Sequence, residues 1–161
     1  MLTNLALLLL LAGAASPQQW TGRVVGIQDG DTLTVLRGAT QIKIRLHGID
    51  CPETAQPFGS RAQQKTAELA FGRTVIVQPG KADRYGRTLA VVILPNGHSL
   101  NDELLRAGLA WWYRQYAPKE RALARLEDAA REAHLGLWAD QDPTPPWLWR
   151  KAKKAISRAS Q

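Results

Sequence analysis

Apolar and polar residues alternate over three consecutive stretches of the first half of the chain, at residues 20–28, 32–37 and 40–47. In the third, Ile42, Ile44 and Leu46 interleave with Lys43, Arg45 and His47. A period of two puts the aliphatic set on one face of a strand and the basic set on the other, so Arg45 is expected to look out of the barrel that these strands build. Asp29-Gly30 and Gly38 supply the turns between them. Two further strands are predicted at 73–78 and 88–94, flanking a turn-rich segment that contains Gly80 and the cluster Asp83-Arg84-Tyr85-Gly86-Arg87.

Elsewhere the spacing is helical. Ser60 with Gln63 reads as a capping box opening a helix that carries Ala62, Leu69 and Ala70 and stops before Gly72. Ser99 with Asp102 opens a short helix closed by Gly108, and Pro118 suits the first turn of a longer one running to Gly136. Leu123, Leu126, Ala130, Ala133 and Leu137 recur along that last helix every three or four residues, a stripe that reads as core packing. Beyond Trp138, Pro143, Pro145 and Pro146 are expected to break regular structure ahead of a basic tail bearing Arg150, Lys151, Lys153, Lys154 and Arg158. Five short strands with about three helices predict an α+β, mainly β fold: a five-stranded OB-type barrel over residues 20–139, followed by a Pro/Trp-rich and basic tail at 140–161.

The amino-terminal residues change the picture of where the chain works. A leucine-rich run at 5–11 leads into Ala12-Gly13-Ala14-Ala15, a small-residue ending of the kind signal peptidases cut, although no Lys or Arg precedes the leucines. A signal peptide at 1–15 and export to the periplasm or the exterior are expected, because the apolar run is well short of the ~20 residues that span a bilayer. Cys51 is the only cysteine, which excludes an intrachain disulfide. His47, His98 and His134 lack zinc-ligand spacing. A formal net charge of +7 points to a polyanionic partner, and a monomer is expected.

Three clusters carry the candidate chemistry: Asp29-Gly30-Asp31-Thr32, Arg45 leading into Asp50-Cys51-Pro52-Glu53, and the 83–87 segment. Asp31 precedes one strand and Asp50 follows another, so a barrel could bring both to one rim as oxygen ligands for calcium or magnesium. Glu53 is a spare carboxylate that could act as a base, while Arg45 and Arg87 could grip a phosphate. Each cluster alone reads as an ordinary turn, a solvated loop or a surface arginine. Their conjunction on a basic chain is what metal-assisted phosphodiester hydrolysis requires.

From about Trp20 to Trp138 the sequence resembles the thermonuclease family, the staphylococcal-nuclease-like OB-fold enzymes. The matching stretches are the three clusters, Ile44-Arg45-Leu46, Asn101 through Gly108-Leu109-Ala110, and Gly136-Leu137-Trp138. The resemblance implies a Ca2+ ion held by the side chains of Asp31 and Asp50 and the backbone carbonyl of Cys51, with Glu53 as base and Arg45 and Arg87 on the scissile phosphate. It also implies DNA and RNA as substrates and a 3′-phosphate product. Tyr85, next to Arg84, matches a family tyrosine near the substrate phosphate; a second such tyrosine aligns with Arg114, with Tyr113 beside it. Cys51 stands where the best-known member has threonine and is read as a packing residue, and the loop after Glu53 is shorter here.

Trp111, Trp112, Tyr113 and Tyr116 could stack on bases, the usual grip on single strands, although at least half of them are expected to cover the junction of helix and barrel. Two other functions compete with an enzyme: a nucleic-acid-binding module without catalysis, and a secreted calcium-binding interaction domain. The second leaves both arginines idle, and the joint presence of Asp31, Arg45, Asp50, Glu53 and Arg87 argues against the first.

Overall fold

The computed structural model describes residues 18–159, so the leader expected at 1–15 lies outside the described residues. In chain order the strands are β1 (Trp20–Asp29), β2 (Thr32–Arg37), β3 (Thr40–Leu46), β4 (Ile49–Asp50), β5 (Thr74–Ala82), β6 (Thr88–Ile93) and β7 (Trp111–Trp112). The helices are α1 (Gly59–Ala70), α2 (Leu100–Arg106), α3 (Arg121–Glu132) and α4 (Pro146–Ala159), with a single 3-10 turn at Gly136–Ala139.

Five strands close into a barrel in the order β1-β2-β3-β6-β5, as the alternating pattern predicts. The pairings are antiparallel except between β3 and β6, which run parallel. Register follows the apolar set: Val24 lies opposite Val35, Leu33 opposite Ile44, and Ile76 and Val77 opposite Ile93 and Val92. Val24, Leu33, Val35, Ile44, Val77 and Val92 are wholly removed from solvent. Each such side chain contributes roughly 1.5–3 kcal/mol of burial, and a one-residue slip would turn the whole set outward. Leu100, Leu104 and Leu105 of α2 join the same core.

The helices differ from the pattern in instructive ways. Ser99 does cap α2, its hydroxyl accepting from the Asp102 amide at 3.2 Å. Ser60 does not cap α1: that helix starts behind Phe58 with no side-chain cap, and Gln63 donates instead to the Gln28 carbonyl at 3.0 Å, tying α1 to β1. Pro118 sits in a turn ahead of α3, which begins at Arg121, and the predicted run to Gly136 breaks after Glu132. Its cause is a close backbone crossing. Leu137 donates to the Gly108 carbonyl at 2.8 Å, and a Cβ on Gly136 would lie 2.2 Å from that oxygen. Both glycines have positive φ, so this junction between the end of α2 and the 3-10 turn requires them. Leu123 and Ala130 of the proposed stripe are buried and Leu126 packs against the core, whereas Ala133 is exposed.

Among the described residues there are four α-helices rather than about three, because the proline-rich tail is not irregular throughout: α4 occupies Pro146–Ala159. Pro146 is the first helical residue, the position where a missing N–H costs nothing. The two-residue strands β4 and β7 pair outside the barrel, Ile49 opposite Trp112 and Asp50 opposite Trp111. This small sheet hangs on the buried Glu127 of α3, whose carboxylate accepts from the Trp112 amide at 3.0 Å and from Arg114 at 3.0 Å, with Arg131 at 3.6 Å. Burial raises the Glu127 pKa against the pull of the Trp112 N–H and the two arginines.

Glu127→Ala should therefore destabilise the protein by about 1–3 kcal/mol, the cost of stranding a buried amide donor. Glu127→Gln, which keeps an acceptor oxygen, should cost less. Urea unfolding of both variants checks the order, and equal losses would mean that charge rather than the Trp112 amide governs the site.

Candidate active site

The tight turn between β1 and β2 delivers Asp31. Its amide bonds the Asp29 carboxylate at 3.1 Å and its carbonyl accepts from Leu46 of β3 at 2.8 Å, so the backbone is fixed on both sides. The Asp31 carboxylate accepts from the Cys51 amide at 2.6 Å and the Thr32 hydroxyl at 3.3 Å. Asp50 arrives on β4. Between them lies Arg45, turned away from the barrel core as alternation requires, yet covered to 11% side-chain exposure. Its Nη1 stands 2.5 Å from Asp31 Oδ2 and its Nη2 donates to Asp50 Oδ1 at 2.7 Å. The first contact is a close ion pair without hydrogen-bond alignment, since Nη1 has no aligned acceptor among the described residues.

Burial drives the electrostatics here. Desolvation pushes the Asp31 carboxyl up to about 7; Arg45 opposes the rise, and the negative charges of Asp29 and Asp50 add to it. Burial alone would lower the Arg45 pKa, but Asp31 and Asp50 outweigh it and hold the guanidinium firmly charged. The Cys51 thiol is driven well up by burial and by Asp31, which keeps it protonated and fits its reading as a packing residue.

Arg87 reaches the same rim from the start of β6. Asp83 holds it through Nε at 2.8 Å and Nη2 at 2.7 Å, while Nη1 lies 3.4 Å from the Thr32 hydroxyl that itself contacts Asp31. Burial works to raise the Asp83 pKa, but hydrogen bonds from Arg87 and the Tyr85 amide lower it. Tyr85 is 68% exposed, with the Arg84 and Arg87 guanidiniums 4.9 and 5.5 Å from its ring centre.

Glu53 lies on the loop after β4 with its side chain 42% exposed. The loop is clamped by Gln56, whose side-chain oxygen accepts from the Glu53 amide at 3.2 Å and whose Nε2 donates to the Thr144 carbonyl. Gly59 is obligatory at its base, because a Cβ there would fall 1.8 Å from the Glu53 carbonyl oxygen. Arg150 of α4 completes the cluster, with Nη1 at 2.8 Å from Glu53 Oε1 and Nη2 at 2.8 Å from Asp50 Oδ2. Neither Gln56 nor Arg150 stands out in the sequence. Gln56 carries no motif, and Arg150 is one of five cations in a row of basic residues.

Asp31, Arg45, Asp50, Cys51, Glu53 and Arg87 are thus brought together, with Arg84 and Tyr85 beside Arg87. Tyr113 stands at the edge of the group, where burial and the nearby Asp50 raise its pKa against Arg150. Arg114 turns elsewhere, onto Glu127 and over the Trp112 ring at 4.9 Å. Trp112 is buried with its indole N–H on the Ala117 carbonyl at 3.0 Å, and Trp111 packs edge-on against Trp138 at 4.4 Å, so both cover the junction; Tyr116 is 60% exposed. Among the described residues no group of three or more His, Cys, Asp or Glu has metal-binding geometry. The donors present, two buried aspartate carboxylates, nevertheless suit a hard divalent cation and no soft one.

The small closed barrel gathers carboxylates and guanidiniums on one rim, and comparison with known proteins puts the chain among nucleases. Residues 43–140 match the family model described as staphylococcal nuclease homologue. The micrococcal nuclease of Shigella flexneri is 40% identical over 158 residues, covering 92% of this chain and 91% of the relative. An uncharacterized endonuclease of Escherichia coli O157:H7 is 43% identical over 132 residues, covering 82% and 86%, and one of Haemophilus influenzae is 40% identical over 155 residues, covering 96% and 86%. The chain belongs to the staphylococcal nuclease homologue family and is a nuclease of the thermonuclease type.

A carboxyl at about 7 in the folded protein against an ordinary 3.8 means that the native state binds a proton over that interval which the unfolded chain does not. Stability in chelator should therefore fall as pH rises from about 4 to about 7. Asp31→Asn should flatten that slope. Urea unfolding across the interval checks it, and a wild-type slope of the opposite sign would place the buried charge elsewhere.

Proposed function

We propose that the protein is an exported, calcium-dependent, sugar-nonspecific endonuclease that hydrolyses both DNA and RNA. The observation that carries the reading is the unbroken run of contacts from Arg87 through Thr32, Asp31, Arg45 and Asp50 to the neighbourhood of Glu53. The leader expected at 1–15 is the reason for export. Asp31, Asp50 and the Cys51 carbonyl would hold the ion, and a bound divalent cation would neutralise the phosphodiester and the charge that develops on it.

The remaining work falls to side chains. Arg45, whose guanidinium is fixed by two carboxylates, and Arg87, fixed by Asp83, offer planar donors to the non-bridging oxygens of the scissile phosphate, where charge grows in the transition state. Glu53 is exposed enough to meet water and takes a proton from the attacking molecule as its oxygen bonds to phosphorus. The bond to the 5′-oxygen breaks, leaving the 3′-phosphate that the family resemblance implies, and the departing oxygen takes a proton from solvent water. Tyr85 and Arg84 flank the phosphate path. Lys151, Lys153, Lys154 and Arg158 stay exposed on α4 and add sequence-independent attraction to a polyanion.

Plasmid DNA and RNA incubated with calcium, with magnesium or with chelator test the reading. Cleavage of both with calcium, weak cleavage with magnesium and none in chelator is expected; full activity in chelator would overturn it. Glu53→Gln should lower turnover by roughly 10²–10⁴-fold, and Arg87→Ala by about 10²–10³-fold, with unchanged circular dichroism. Folded variants that cut at wild-type rates would remove these residues from the mechanism.

A further inference from the structure

Five cationic side chains lie along α4, and Arg150 is the one turned into the carboxylate cluster. The placement is built. Trp147, three residues earlier and so on the same helical face, stacks on Tyr113 at 5.4 Å with the planes 3° apart and meets Trp111 edge-on at 5.7 Å. Gln56 ties the Thr144 carbonyl, just ahead of the helix, to the loop that carries Glu53. The first turn of α4 is therefore held on two sides, and Arg150 is delivered to a defined spot.

What it does there bears on the chemistry. Arg150 Nη1 lies 3.3 Å from Asp50 Oδ1 and 2.8 Å from Glu53 Oε1, and Nη2 lies 2.8 Å from Asp50 Oδ2. Asp50 Oδ1 already accepts from Arg45, so both oxygens of Asp50 are committed to guanidinium groups. The Glu53 oxygen that accepts from Arg150 is occupied by that contact and so is less open to water. A divalent cation would need these same oxygens, and sharing them with Arg150 would set like charges side by side. We propose that Arg150 is an intramolecular competitor for the cation position: α4 docked through Trp147 keeps the carboxylates satisfied, and cation binding expels Arg150 and frees α4 from the rim. The inference rests on the proposed metal site of the nuclease. Arg150 is then a positioning residue that sets how much cation the enzyme needs, and once released it joins the neighbouring lysines in facing the nucleic acid.

The test uses the full-length protein without nucleic acid. Calcium binding by isothermal titration calorimetry should be about tenfold or more tighter in Arg150→Gln than in wild type, a size typical of coupling between competing events. Trp147→Ala, which loosens α4 without touching a carboxylate, should shift affinity in the same direction. Trypsin cleavage at Lys151, Lys153 and Lys154 should accelerate when calcium is added to wild type and respond little to calcium in Arg150→Gln. Equal or weaker calcium binding by Arg150→Gln, or a tail whose cleavage ignores calcium in wild type, would overturn the competition while leaving the nuclease reading intact. Absence of calcium binding in both proteins would instead remove the metal site, and the competition with it.

Discussion

The structure turns on one buried contact set: Arg45 between Asp31 and Asp50. Taking these charges out of water costs several kcal/mol per ion before any attraction is counted, and a protein built for stability alone would put aliphatic residues there. The arrangement persists because every element around it is fixed by something else. β3 presents Arg45 because Ile44 and Leu46 on either side must face the core. The β1–β2 turn presents Asp31 because its backbone is bonded to Asp29 and Leu46, and β4 presents Asp50 because it pairs with β7. Hydrophobic burial in the barrel thus sustains an electrostatic arrangement that is unfavourable taken alone. The Asp31 carboxyl, pushed up to about 7, registers chiefly the cost of its burial, which Arg45 only partly offsets.

The supports fall into two grades. Arg45, Asp31 and Arg87 are held by the barrel, whose strands pair along their length and enclose fully buried residues. Asp50 and Glu53 depend on thinner structure: a two-residue strand whose partner hangs on Glu127, and a loop pinned by Gln56 and by the absence of a side chain at Gly59. The arginines proposed to face phosphate therefore sit on the rigid side, and Glu53, the proposed base, sits on the adjustable side. That division suits a reaction in which charge must be met at a fixed place while water approaches from solvent.

Sequence reached the barrel because a period of two over residues 20–47 admits one inward face, and the register that this face demands is the one found. It reached the rim residues because strand ends and turns lie where Asp29-Gly30 and Asp50-Cys51-Pro52 mark them. It went astray where a long-range contact overrides a local signal. Ser60 has the spacing of a cap, but the approach of Gly59 to Glu53 sets the start of α1 and Gln63 is drawn to Gln28. The Gly108 and Gly136 crossing ends a helix whose apolar stripe continues. Pro146 reads as a breaker and acts as a helix start. No local pattern separates Arg150 from the lysines that follow it; its direction is set at long range, by the packing of Trp147 on Tyr113 and Trp111 and by the tie from Gln56 to Thr144.

That last point bears on how such a rim can be both stable and available. A cluster of Asp31, Asp50 and Glu53 with Arg45 alone would carry excess negative charge, and like charges gathered without counter-charge destabilise a fold. A fixed second arginine would cure this and would block the site permanently. α4 resolves the conflict through the kind of attachment it has: its contacts with the rim are a few aromatic faces, one carboxamide bond and the guanidinium itself, while much of the helix beyond Arg150 is exposed. Attachments of this size open locally at far less cost than the barrel. A helix held in part by the charge it neutralises loses that part of its grip when a stronger counter-charge reaches the rim.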